Sequence, residues 1–362
     1  MNANTPREDG ALDGIVFPLL VWFREHARVL PWRSDPQPYK VWVSEIMLQQ
    51  TRVAAVLGYF ARFLERLPTV RDLAEVDEEE LLKLWQGLGY YNRARNLQKA
   101  ARQIMERFGG VFPDRYEDIL TLAGVGEYTA GAIASIAFGR AVPAVDGNVL
   151  RVVCRVTGDE RPIDAPETKR AVREALAAVI PLDFPGQFNQ ALMELGALVC
   201  LPNGAPLCEQ CPLAGQCRAF QEGRTGQLPT KLPKRARRVA AGTVYLLFSR
   251  GRVALRKRAS RGLLAGLWEY PHTLEGDDPA AWGLPLERAH PAGRGKHIFT
   301  HIEWQMEGRA LELGADAVLP DGWVWADRAA LHGTYAVPNA FSAFRAEVET
   351  RLSGGPMGGT DG

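Results

Sequence analysis

From Leu12 to about Phe220 apolar residues recur three or four positions apart, the spacing of one helical face. GIVFPLLVWFREHA, DEEELLKLWQGL, RNLQKAARQIMERF and ETKRAVREALAAVI all show it, and the pattern predicts an all-α region. Asp77 followed by Glu80, and Asp114 and Asp164 ahead of later helices, stand where N-terminal caps are expected. GQLPTKLPKRARRVA then sets two prolines among five basic residues and reads as a linker over residues 227–239. Beyond it the period changes. GTVYLLF and RVALRKR flank a Ser-Arg-Gly turn as a hairpin, HIFTHIEWQ alternates like a strand, and NAFSAFRAEVETRL is a final amphipathic helix. A second, mixed α/β domain is therefore expected over about 240–352. The first ten residues and the tail SGGPMGGTDG are polar and Gly-rich and are expected to be disordered.

With 362 residues the chain can build two full-sized cores, and 46% hydrophobic with 23% charged residues is ordinary for a soluble protein. No apolar run reaches membrane-spanning length and no signal peptide is visible, so no membrane partner and a cytoplasmic location are expected. A net charge of +1 makes no argument for nucleic acid, but between Gly223 and Trp268 twelve Arg or Lys occur without one Asp or Glu. A solvated linker and a hairpin explain part of that, and the local field is strongly positive.

KVWVSEIMLQQT, residues 40–51, places Glu45 among Val41, Trp42, Ile46 and Leu48 on a largely apolar helix face. Burying an ionised carboxylate is costly, so such an acid is paired or holds its proton through a raised pKa. A second acid, Asp146 in VPAVDGNVLRVVCRV, caps the helix starting near Asn148. Two carboxylates in different surroundings can divide glycosidic cleavage between a protonated acid and an anion facing the positive sugar.

Four of the five cysteines, Cys200, Cys208, Cys211 and Cys217, fall in one window with seven, two and five residues between them. A Cys-x-x-Cys pair flanked by two outliers suits zinc or a 4Fe–4S cluster, and the single knuckle favours iron–sulfur. Cys154 reads as a buried core thiol. LAGVGEYTAGAIAS places Gly124, Val125 and Gly126 in a tight turn between helices. That turn is either an ordinary glycine-capped turn or a helix-hairpin-helix whose amides contact a DNA backbone.

Taken together, LPWR, SEIMLQQTRV, GLGYYNRARNL, LAGVGEYTAGAI, VDGNVLRV and the four-Cys run resemble, in order, the adenine DNA glycosylases of the MutY family. The resemblance spans nearly the whole chain. It implies a multi-domain α plus α/β protein: an all-α helix-hairpin-helix glycosylase domain with one 4Fe–4S cluster on the four cysteines, followed by a Nudix-like domain. Residues 1–226 would be catalytic, with a six-helix barrel over about 35–140 and a cluster domain from 11–34 plus 141–226. The implied activity is base excision repair, removing adenine mispaired with 8-oxoguanine or guanine in double-stranded DNA, by a monomer.

By this resemblance Glu45 is the acid, Asp146 the anion, and Tyr128 and Asn148 their partners in the pocket, with Trp32, Arg33, Leu48 and Glu194 lining it. Gln50, Thr51, Leu88 and Tyr90 would enter or brace the duplex where the base is flipped out. Phe299, Thr300 and His301 would read 8-oxoguanine. Four departures stand out: a seven-residue first cysteine gap instead of six, no Lys or Arg in its loop LPNGAPL where the family contacts DNA, Ala123 for the usual hairpin proline, and Thr300 for serine. Two alternatives have recognisable signatures. An endonuclease III-like lyase needs a lysine at the position of Tyr128, and a phenol forms no imine. A Nudix nucleotide hydrolase needs an Arg-Glu-x-x-Glu-Glu box, which the chain lacks.

Overall fold

The structure, a computed structural model, describes residues 10, 12–233 and 236–354. The expected disorder of residues 1–9 and 355–362 lies outside these residues, as do Lys234 and Arg235 of the expected linker. The chain divides into two compact units. One holds residues up to Glu75 with Asn96–Pro233, and the other holds Val76–Arg95 with the residues after Pro233.

The first unit is helical throughout. Helix Pro38–Leu48 packs on Glu127–Phe138, which packs on Pro185–Leu198, and the last also meets Val16–His26 and Gly147–Thr157. Its main core buries Leu19, Trp22, Val149, Cys154, Leu176, Phe188 and Leu192. Each large apolar side chain taken from water there contributes about 1.5–3 kcal/mol. Helices Gly147–Thr157 and Pro185–Leu198 approach so closely that a Cβ on Gly196 would stand 2.6 Å from Asn148 Cβ. In the turn before helix Glu127–Phe138, Gly124 has φ +73°, and a Cβ there would meet Asn96 at 2.6 Å. Glycine is required on both counts.

Of the three expected caps only Asp77 works as one, accepting the Glu79 amide at 2.7 Å. Asp114 instead pairs with Arg140. Asp164 accepts the Leu232 amide at 2.9 Å and so fastens the start of the interdomain segment. The helix after it begins with Pro166, whose missing N–H leaves one fewer donor to cap.

In the second unit a six-stranded sheet runs β3-β2-β1-β5-β4, with β6 also on β2. The strands are β1 (Arg238–Ser249), β2 (Arg252–Lys257), β3 (Trp268–Glu269), β4 (His290–Ile298), β5 (Ile302–Glu312) and β6 (Trp323–Ala326). β1 pairs with β5 in parallel and with β2 antiparallel. The expected hairpin turns on Arg250 and Gly251, whose φ values of 50° and 66° match the twist of flanking strands. HIFTHIEWQ is not one strand: it breaks after Ile298, and Phe299–His301 form the tip between β4 and β5, closed by Phe299 N–H on Ile302 O at 2.8 Å. Alternation carries no mark for a turn without Gly or Pro, so the break was invisible in the pattern. The final helix starts later than expected, at Arg345, after 3-10 turns over Asn339–Phe344.

Candidate active site

Helix Pro38–Leu48 carries Glu45 to the wall of a cavity of about 700 Å³ with only 5% of the residue exposed. Val41, Trp42 and Met47 of the same helix are buried beside it, so its carboxyl is largely deprived of water. Burial drives its pKa up from 4.5 to about 7, and the nearby Asp146 adds to the rise. A hydrogen bond from Tyr128 and the Arg33 charge pull the other way without winning. Tyr128 enters from the first turn of the next helix and donates a short hydrogen bond to Glu45 Oε2. Its own pKa is raised well above 10, by burial first and by Glu45 next, so the phenol stays a donor.

Asp146 caps helix Gly147–Thr157, accepting the Val149 amide at 2.8 Å on one oxygen and Asn148 Nδ2 at 2.9 Å on the other. Burial raises its pKa, while those two donors and Arg151 oppose the rise. The amide of Asn148 is oriented in turn, because Arg151 Nη2 donates to its Oδ1 at 2.8 Å. Glu194 is the third acid and behaves oppositely. Burial pushes its pKa up, but hydrogen bonds from Arg28 and Arg33 prevail and hold it at about 2. Arg28 donates to Glu194 through Nε at 2.7 Å and Nη2 at 2.8 Å, and Arg33 Nη2 donates at 2.7 Å. Among three neighbouring carboxyls, then, one keeps its proton near neutral pH and one is a firm anion. Separated acid strengths of this kind mark an acid–base site.

Of the residues singled out from sequence, Trp32, Arg33, Glu45, Leu48, Gln50, Thr51, Gly126, Tyr128, Asp146, Asn148 and Glu194 line this one cavity. Gly124 and Val125 sit in the hairpin turn outside its lining. Sequence reading missed Arg28, Gln49, Met193, Lys169 and Arg173, which also line it. Arg28 finds its acid 166 residues away, and no local pattern signals such a pair.

Leu88, Tyr90, Phe299, Thr300 and His301 lie in the second unit. Leu88 is buried, whereas Tyr90 is 51% exposed and its hydroxyl lies 3.3 Å from Thr300 Oγ1. Thr300 and His301 are exposed at the β4–β5 tip, and Phe299 is half-buried beneath them. Two of the expected wedge residues share a backbone feature: Gln50 has φ 57° and Tyr90 φ 48°. A left-handed conformation costs a non-glycine residue about 1–2 kcal/mol and collects at functional positions.

Cys200, Cys208, Cys211 and Cys217 line a second cavity, walled by Val152, Val156, Leu195 and Leu213. Burial and then the neighbouring thiols raise Cys208 and Cys211, the latter to about 11. Cys217 is raised by burial too, with Cys200 and Cys208 adding to it. Arg155 Nη1 donates to Cys200 Sγ at 3.2 Å. Four sulfurs on an otherwise largely apolar lining, whose thiolates cannot coexist without a compensating charge, fit a soft metal group. Among the described residues no three His, Cys, Asp or Glu side chains gather as a site for a single ion. The longer first cysteine gap is closed by Leu207 N–H on Val199 O at 2.9 Å. Cys154 is fully buried in the core.

Residues 43–181 match the HhH-GPD superfamily of base excision DNA repair proteins, and residues 243–347 match the NUDIX domain. The chain is 38% identical over 378 residues to the adenine DNA glycosylase of Mus musculus, covering 85% of this chain and 72% of that protein. Among solved structures it resembles a thermostable thymine-DNA glycosylase, with a TM-score of 0.53 and 28% identity over 57% of this chain and 95% of that one. A non-covalent endonuclease III–DNA complex matches with a TM-score of 0.50 and 28% identity, over 58% of this chain and 94% of that one.

Proposed function

Since the chain belongs to the adenine DNA glycosylase family, we propose that it excises adenine mispaired with 8-oxoguanine or guanine, by hydrolysis without lyase chemistry. A base excision repair glycosylase of the helix-hairpin-helix superfamily is what the matches establish. The observation that carries the finer reading is Glu45, buried on the cavity wall beside Asp146 and protonated up to a pKa of about 7.

In this mechanism Glu45 gives its proton to the five-membered ring of the extruded adenine. The glycosidic electron pair leaves with the base, and positive charge develops on the sugar. Asp146, oriented by Val149 and Asn148, faces that charge. Water then adds to the sugar carbon and returns a proton to Glu45. Tyr128 fixes the Glu45 carboxyl, and the Arg28–Glu194–Arg33 cluster holds another part of the cavity lining. Gln50, with Thr51 beside it in the chain, enters the duplex where adenine leaves, and Tyr90 of the second unit, near Leu88 in the chain, is a second wedge residue; each has a left-handed backbone. The Gly124–Gly126 turn receives a phosphate, and the open space at Gly126 leaves its backbone accessible. The protein acts as a monomer on duplex DNA, and Phe299, Thr300 and His301 read the base opposite adenine.

The four cysteines would hold one 4Fe–4S cluster, which when bound supplies a compensating positive charge and a cross-link between their loops. Purified protein is expected to carry roughly four irons and to absorb broadly near about 400 nm. Fully active, colourless, zinc-loaded protein would overturn the assignment.

The decisive assay incubates the protein with duplexes carrying adenine opposite 8-oxoguanine, guanine or thymine, then treats them with alkali. Free adenine and a strand that breaks only in alkali are expected from the first two. With borohydride no trapped adduct should form by the lyase route, because Tyr128 stands at the Schiff-base position and a phenol forms no imine; the amine on the cavity lining that could report otherwise is Lys169. Strand cleavage at neutral pH with trapping at Lys169 would instead establish the lyase reading.

A further inference from the structure

Behind the β4–β5 tip the second unit buries a charged cluster that the glycosylase chemistry does not use. Glu269 on β3 is 2% exposed and His272 is fully buried. Arg256 Nε donates to Glu269 Oε1 at 2.8 Å, and Arg258 Nη1 donates to Oε2. His272 Nδ1 accepts the Leu274 amide at 3.3 Å, which leaves Nε2 as the donor to Glu269 Oε2 at 2.9 Å. Asp277 and Glu275 take the outer faces of the two arginines, at 2.8 Å and 2.7 Å. Replacing such a buried network with apolar side chains is often neutral or stabilising, so stability alone is a weak reason for it.

What it touches gives a better reason. The fully buried indole of Trp304 lies 5.5 Å from the His272 ring and 5.9 Å from Phe341, with Arg258 5.9 Å from its centroid. Its remaining ring neighbour is Phe299 of the tip, at 5.0 Å and edge-on. Among the described residues the Trp304 Nε1 has no hydrogen-bond partner. Nothing polar on the indole sets its angle. The packing of His272, Arg258 and Phe341 sets it, and Phe299 rests on the result. A reader of a small difference between bases needs its contact groups held to a fraction of an ångström.

We propose that Glu269 and His272 are positioning residues for lesion reading, fixing the Phe299–His301 tip through Trp304. The inference rests on the tip reading 8-oxoguanine as proposed above.

The test uses the full-length, iron-loaded protein and single-turnover excision of adenine opposite 8-oxoguanine and opposite guanine, with Thr300→Ala as the direct control. Glu269→Gln keeps the shape and removes the charge. The preference for 8-oxoguanine should fall about tenfold, while excision opposite guanine stays within about twofold of wild type. Trp304→Phe, which keeps a ring against Phe299, should retain most of the preference, and Trp304→Leu should lose it. A purely structural role would lower both rates together and leave their ratio unchanged, which overturns the proposal. A ratio lost in Thr300→Ala but kept in Glu269→Gln overturns it too, leaving the tip's own role standing. A ratio kept in Thr300→Ala removes the reading role and this proposal with it. Should Glu269→Gln fail to fold, the Trp304 pair decides on the same ratio.

Discussion

Glu45→Gln is expected to lower single-turnover adenine excision by about a thousandfold, the middle of the range for losing a general acid. The amide keeps the shape of the side chain and still accepts from Tyr128, but it has no proton to deliver. Mismatch binding should be nearly intact. Wild-type excision should fall about tenfold per pH unit above the Glu45 pKa of about 7, as the acid ionises. Stability gives an independent check. The folded state holds a proton up to about pH 7 that the unfolded chain releases near 4.5. Stability from this group is thus fully present below 4.5 and is lost as pH rises through 7. The loss approaches ~3 kcal/mol, from 1.36 kcal/mol per pKa unit. Glutamine does not titrate, so the variant should gain on wild type across that window. Melting curves from pH 4 to 8 that run parallel, or excision within tenfold of wild type, would remove Glu45 from the acid role.

Asp146→Asn is the second large effect, also on the order of a thousandfold, as for loss of one preorganised group facing transition-state charge. Asparagine can still accept the Val149 amide, so the helix cap survives, while the hydrogen bond from Asn148 Nδ2 is lost, and stability should change by about 1 kcal/mol. What disappears is the negative charge opposite the developing sugar cation. Rate and melting temperature must therefore separate: a thousandfold slower enzyme with near-normal melting supports the role. A variant that keeps more than a tenth of the rate shows that the charge is not needed, and one that merely unfolds shows only that the cap was.

Much of this was legible in the chain because its causes are local. The helical period from Leu12, the Arg250–Gly251 hairpin turn, the Gly124 turn and the cap at Asp77 each depend on residues a few positions apart. So does the anomaly of Glu45, since an acid within an apolar helix stripe is visible without knowing what covers it. The clustering of four cysteines in one window also announces itself. The tip at Phe299–His301 shows the limit: its residues were picked out by resemblance, but the pattern of HIFTHIEWQ read as an unbroken strand.

The sequence by itself determined which segments are helical, where the fold changes class and which residue types are available for the chemistry, because propensity, period and spacing are short-range properties. Only the tertiary structure decided which carboxyls keep a proton and which give it up. Glu45 and Glu194 are both carboxylates on apolar helices, yet one stands at about 7 and the other at about 2. The difference comes from Arg28 and Arg33, brought to Glu194 from 166 and 161 residues away, and from the neutral phenol of Tyr128 placed on Glu45 from 83 away. A pKa is set by burial and by charges within a few ångströms, and folding alone places those.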